Sequence, residues 1–250
     1  MNNRQRYLFI AGNARSGTTA LTELVNSHPS IVAGMERYFN LASPARCGEL
    51  VSELFDNRRF FDPSPDETHN FRWRDDAKYV AFLRDKYARA EIVGDKVPNY
   101  FWHAERLFEI FPRSRMLLIT RHPLRVADSW KRRQVDASDL NWEAGAADAL
   151  RQWNLGHEKM VELVLRHGSR FGVVVYEDLF SGAMHHFNRL LSWLDAGPPS
   201  EWTMSFHKRA TGGWSEREDR DLLLTDAEQE MVVDGARFDL RERLVRLAGI

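Results

Sequence analysis

At 250 residues, with 43% hydrophobic and 28% charged positions, the chain has the length and apolar content for one substantial α/β domain. Intrinsic disorder, collagen-like repeats and disulfide-stapled miniproteins are excluded. Thirty-five Lys and Arg stand against 36 Asp and Glu, so no global charge draws the chain to nucleic acid or an anionic membrane, and any anion site is local. Cys47 is the single cysteine, which leaves no intrachain disulfide and suits a reducing, cytoplasmic compartment.

The first apolar stretch, Tyr7–Ala11, predicts a strand; it is too short for a signal peptide, and no later segment reaches the roughly 20 apolar residues of a membrane span. It runs into Gly12-Asn13-Ala14-Arg15-Ser16-Gly17-Thr18-Thr19, a G-x-x-x-x-G frame feeding a helix expected over Thr18–Ser27. Backbone N–H groups and the positive helix end of such a loop cradle an anion. A nucleotide triphosphatase needs Lys at the next position and a Ser or Thr on Mg²⁺, but Thr18 stands there and the cation is Arg15, inside the loop. A P-loop kinase or NTPase is therefore disfavoured.

A second strand is expected at Ile31–Ala33, followed closely by Glu36. The stretch from Asn40 to Asp76 is irregular and rich in Pro, Phe and Trp, and reads as an insertion over the ligand edge of a sheet, either a lid or ordinary packing under a long loop. Next come a helix at Ala77–Arg89, a strand at Ile92–Asp95 with Lys96 just beyond it, a helix at Tyr100–Phe111, and a strand at Met116–Thr120. Arg121 follows, with Pro123 suited to the first turn of a helix over Leu124–Arg133. From that helix Ser129 looks back toward the strand end. Helices at Trp142–Arg166, Met184–Trp193, Ala227–Gly235 and Leu240–Leu247 and a strand at Gly172–Tyr176 complete the pattern, with Thr225 and Glu228 spaced as a capping box. Short apolar runs alternating with helices predict an α/β fold: a three-layer, single-domain chain with a mainly parallel central sheet and helices on both faces.

The run Arg15-Ser16-Gly17-Thr18-Thr19-Ala20-Leu21, with Asn26-Ser27-His28-Pro29-Ser30-Ile31 after it, resembles the 5′-phosphosulfate loop of sulfotransferases that use 3′-phosphoadenosine 5′-phosphosulfate (PAPS). Arg121 and Ser129, eight residues apart, resemble the 3′-phosphate site of the same family. Val174-Val175-Tyr176-Glu177-Asp178-Leu179 resembles its strand-end segment, which places Tyr176 near the adenine, and Thr211-Gly212-Gly213-Trp214 resembles the late glycine loop that closes on the nucleotide. The resemblance implies PAPS as donor and a hydroxyl as acceptor; the aromatic-rich Asn40–Phe82 region suggests that the acceptor is a partly apolar small molecule, and the balanced charge gives neither nucleic acid nor membrane as partner. The oligomeric state stays open, as does a non-catalytic nucleotide-binding module on the same fold. Charge developing on the leaving oxygen asks for cations, for which Arg15 and Lys96 are the candidates. The nine His and the lone Cys form no zinc-type spacing, so no metal is expected. Many cytosolic members carry a basic His two residues after the corresponding Lys, where this chain has Pro98; the heparan and tyrosyl-protein branch uses a Glu after the second strand, which is Glu36 here. Asp95 and His103 are the reserve bases, and an ion-pair role is the alternative for Glu36.

Overall fold

A computed structural model describes residues 6–68, 70, 75–136, 142–218 and 220–250, with the backbone alone over 214–218. Five strands form one sheet: β1 (Arg6–Gly12), β2 (Ile31–Met35), β3 (Ile92–Lys96), β4 (Arg115–Thr120) and β5 (Phe171–Val175). Their order is β2-β3-β1-β4-β5, and every pair is parallel. Both faces of such a sheet are covered, which is why the strands read as nearly continuous apolar runs. In β1, Phe9 and Ala11 enter one core and Leu8 and Ile10 the other.

One face carries α1 (Thr18–Asn26) and α6 (Met184–Trp193), through Leu21, Leu24, Val25, Phe187 and Leu190. The other carries α2 (Ala77–Tyr87), α3 (Ala104–Ile110), α5 (Ala146–His167) and the C-terminal α9 (Phe238–Ala248), through residues such as Leu83, Leu107, Met160 and Leu244. A third cluster, with Trp130, Trp153 and Val232, joins α4 (Pro123–Gln134) to α5 and to α8 (Asp226–Gly235). The capping box at Thr225 and Glu228 is formed. No helix among the described residues is long and apolar enough to cross a membrane.

The helix expected over Tyr100–Phe111 opens as a 3₁₀ turn at Pro98–His103 and becomes α3 only at Ala104. The helix foreseen from Trp142 begins at Ala146, behind Gly145, where Asp148 accepts the N-cap N–H. The irregular region is built of short helical turns at Phe39–Leu41, Cys47–Glu49, Ser52–Phe55 and Asn57–Phe60, and it packs: Phe55, Phe60 and Phe61 lie in the core against Phe9, Tyr38, Tyr87 and Phe111. Phe71 and Trp73, expected there too, lie outside the described residues. The glycine loop foreseen at Thr211–Trp214 is part of α7 (Glu201–Glu218). Thr211 there bonds back to the His207 carbonyl at 2.9 Å, Gly212 and Gly213 are exposed, and the Trp214 side chain lies outside the described residues. Two glycines cost helix propensity of about 1 kcal/mol each relative to Ala; packing of the helix's other face, His207 stacked on Phe187 and Thr203 bonded to the Ser27 carbonyl, overrides that preference.

Candidate active site

Chain order reverses at β1, with β3 on one side and β4 on the other, and ligands of open α/β sheets bind at the C-terminal edge of such a switch point. A cleft of about 1370 Å³ opens there. Arg15, Gly17, Thr18, Thr19, Glu36, Arg121, Ser129 and Tyr176 all line it, so residues far apart in sequence meet in one place. Thr211, Gly212 and Gly213 are absent from its described lining, and so is every described residue from 40 to 76.

The loop after β1 is shaped by two left-handed residues, Arg15 at φ 72° and Gly17 at φ 96°. Gly17 is also demanded by packing, because a Cβ there would lie 2.4 Å from Cδ2 of Tyr176. The Tyr176 ring thus closes over the loop, the Arg121 guanidinium sits 4.3 Å above that ring, and Arg121 Nη1 donates to the Arg15 carbonyl at 3.4 Å. Arg15 Nε donates to Ser129 Oγ at 2.9 Å, and Trp130 Nε1 donates to the Ala14 carbonyl at 3.2 Å. The loop and α4 are in this way one unit. Inside it, Ser16 Oγ is fully buried with no hydrogen-bond partner among the described residues. A buried hydroxyl at the N-terminal end of α1 matches an anionic oxygen that would accept from it. Arg125, Arg132, Arg133 and Arg220 extend the cationic wall.

On the β3 side, Lys96 is buried beneath the cleft floor, its Nζ donating to Glu36 Oε1 at 2.6 Å and to Thr19 Oγ1 at 3.2 Å. Glu36 stays 20% exposed, enough to meet a ligand, and its backbone is left-handed at φ 58°. Such a conformation costs a non-glycine residue about 1–3 kcal/mol and persists only where the surroundings impose it. Asp95, one residue before Lys96, points to the other face: its carboxylate accepts from the backbone N–H of Arg37 (3.0 Å) and Tyr38 (3.1 Å) and from the Tyr100 hydroxyl (2.7 Å). Burial pushes its carboxyl up to about 6, against the pull of those donors. Asp95 is therefore spent on structure, and the other reserve, His103, bonds the Ala42 backbone and is absent from the described lining of the cleft.

Sequence reading missed His157. Fully buried on α5, it holds Nδ1 2.7 Å from the Trp153 carbonyl and Nε2 2.8 Å from Thr120 Oγ1, which assigns the proton to Nδ1 and makes Nε2 the acceptor. Asn13 donates to the same Trp153 carbonyl at 3.2 Å, and Trp153 Nε1 donates to the Arg121 carbonyl at 3.0 Å. Gly156 permits this seating, since a Cβ there would fall 1.9 Å from Asn13 Oδ1. One helix thereby ties the loop after β1 to the end of β4. Spacing alone does not reveal it, because Trp153 and His157 at i and i+4 read as an ordinary apolar helix face. Burial lowers the His157 pKa to about 4, so between there and the ordinary value only the unfolded chain takes up the proton, and stability falls as pH falls through that window. Denaturant titrations at pH about 7.5 and about 4.5 are expected to show up to about 3 kcal/mol more loss for the wild type than for His157→Gln. Equal losses would remove His157 from the acid response.

The model of the sulfotransferase family matches residues 8–197 of the chain. Protein-tyrosine sulfotransferase 2 of Gallus gallus is 27% identical over 233 residues, covering 82% of this chain; the chain spans 58% of the length of that curated relative. Among solved structures, a sulfotransferase from Alicyclobacillus acidocaldarius matches with a TM-score of 0.60 at 16% identity, covering 96% of this chain and 94% of that one. The sulfotransferase domain from the curacin biosynthetic pathway matches with a TM-score of 0.56 at 17% identity, covering 92% and 96%. A family match over most of the described sheet, on a fold shared with these structures and with the loop, Arg121 and Ser129 gathered at one cleft, makes the chain a member of the sulfotransferase family.

Proposed function

We propose that the chain transfers the sulfuryl group of PAPS to a hydroxyl of a small-molecule acceptor, within a single sulfotransferase domain in the cytoplasm. The observation that supports this reading is the meeting of Arg15, Gly17, Thr18 and Thr19 with Arg121, Ser129, Tyr176 and Glu36 on a single cleft, with Lys96 bonded to Glu36 from below. PAPS supplies a sulfuryl group on a phosphate leaving group, and its transfer resembles phosphoryl transfer in passing in line through a loose transition state, where positioning and charge stabilisation carry most of the catalysis. The loop N–H groups, Ser16 Oγ and Arg15 bind the 5′ end of the donor. Arg121 and Ser129 bind the 3′-phosphate, and the Tyr176 ring, with Arg121 already on one side, bounds the adenine end. Glu36 takes the acceptor proton, and Lys96 and Arg15 meet the charge that grows on the leaving oxygen. The cytoplasmic reading rests on Cys47, for which the chain offers no disulfide partner.

Calorimetric titration separates this reading from that of a P-loop kinase. Adenosine 3′,5′-bisphosphate is expected to bind well ahead of ATP·Mg²⁺, because Thr18 replaces the lysine a triphosphate needs while Arg121 and Ser129 serve a 3′-phosphate. Preference for ATP·Mg²⁺ would overturn it.

A further inference from the structure

We infer that Asp95 is a positioning residue for sulfuryl transfer, acting through Glu36; this rests on the reading of Glu36 as the base. Adjacent residues of a strand project to opposite faces, and β3 uses both. Lys96 touches the Glu36 carboxylate directly at 2.6 Å, while Asp95 holds, from behind, the backbone of the two residues that follow Glu36. Glu36 itself is pinned from the strand side by its N–H on the Lys96 carbonyl at 2.6 Å, and on its C-terminal side by Thr68 Oγ1 donating to its carbonyl at 2.7 Å. Its left-handed backbone is thus enclosed by bonds that originate in β3 and in the 60s segment.

The turn has a second anchor that does not depend on Asp95. The Arg37 side chain is fully buried, with Nη1 on Glu67 Oε2 at 2.8 Å, Nε on the Phe60 carbonyl at 3.0 Å and Nη2 on the Arg59 carbonyl at 3.2 Å. Replacing the Asp95 carboxylate with a carboxamide leaves one acceptor oxygen for the two N–H groups and so loosens the turn without releasing the segment. The direction of Glu36 is what changes, by a fraction of an ångström to about 1 Å, and displacements of that size cost about 100-fold in rate when a reacting group is misaligned. The Ser16–Thr19 loop follows β1, and the Arg121 cluster is built from the ends of β4 and β5 and from α4, so donor affinity is expected not to share the effect.

The experiment compares Asp95→Asn, Tyr100→Phe, Glu36→Gln and the Asp95→Asn/Glu36→Gln double variant. Release of adenosine 3′,5′-bisphosphate from PAPS is followed with 2-naphthol or water as acceptor, alongside calorimetric binding of the bisphosphate and thermal melting. Asp95→Asn is expected to lower kcat by about 10–100-fold with bisphosphate affinity held within about twofold, and Tyr100→Phe, which removes one of the three bonds, to shift kcat the same way by less. Added to Glu36→Gln, it is expected to lower the rate by no more than about threefold further, because two residues acting through one group are not additive. Full multiplication of the two effects overturns the inference, as does wild-type kcat in Asp95→Asn while Glu36→Gln is inactive. A Glu36→Gln variant that retains kcat overturns the underlying assignment of the base instead. Should Asp95→Asn melt near the assay temperature, Tyr100→Phe decides: a lowered kcat with intact melting supports the inference and an unchanged kcat overturns it.

Discussion

Glu36→Gln is expected to lower kcat by about 10²–10⁴-fold, the range for loss of a positioned general base, while adenosine 3′,5′-bisphosphate binds as it does to the wild type. Gln keeps the size of the side chain and can still accept a hydrogen bond from Lys96 Nζ, which lies 2.6 Å from the Glu36 carboxylate. What it loses is the ability to take a proton. The two reserve bases named from the sequence are engaged elsewhere, Asp95 on two backbone N–H groups and a tyrosine hydroxyl, and His103 on the Ala42 backbone. Pro98 stands where another branch of the family carries a histidine. A kcat within about threefold of the wild type, far short of base removal, would assign the proton to another group.

Lys96→Met is expected to cost about 10²–10³-fold in kcat, the loss seen when one donor to a developing oxyanion is removed, with a smaller rise in the donor KM. Two of the three N–H donors of the ammonium are taken by Glu36 and Thr19, and both partners line the cleft. The side chain is 1% exposed, so it serves the site from below rather than as a mobile cation on its wall. Removing it also leaves the Glu36 carboxylate without its ion-pair partner, which directs the loss into the same step as Glu36→Gln. A donor KM that rises as much as kcat falls would place Lys96 in donor binding and not in the chemical step.

The sheet was legible because each of its strands is an apolar run buried on both faces, and all five were expected within a few residues of where they lie. That the loop after β1 and the Arg121–Ser129 pair lie at the same edge of the sheet was legible for another reason: each belongs to a run of strand, turn and helix continuous in sequence. What escaped the sequence depends on long-range packing. His157 meets Thr120 and Asn13 across more than a hundred residues of chain in the latter case, and nothing local in α5 marks it. Trp130 and Trp142, edge to face at 4.8 Å on the cleft wall, are likewise separated by a segment of which residues 137–141 lie outside the described set. Thr211-Gly212-Gly213 shows the opposite failure. Its residue types suit a turn, and tertiary contacts along α7 make it helix.

The most direct test is transfer of radiolabel from PAPS labelled in its sulfuryl group, presented with an extract of the source cells, to an organic product separable from free sulfate. Labelled product with the wild type, lost with Glu36→Gln while both proteins bind adenosine 3′,5′-bisphosphate equally, is the expected result. A wild-type protein that binds the bisphosphate and transfers label to no hydroxyl compound, even at high concentration and long incubation, would contradict transferase activity and leave a nucleotide-binding module in its place.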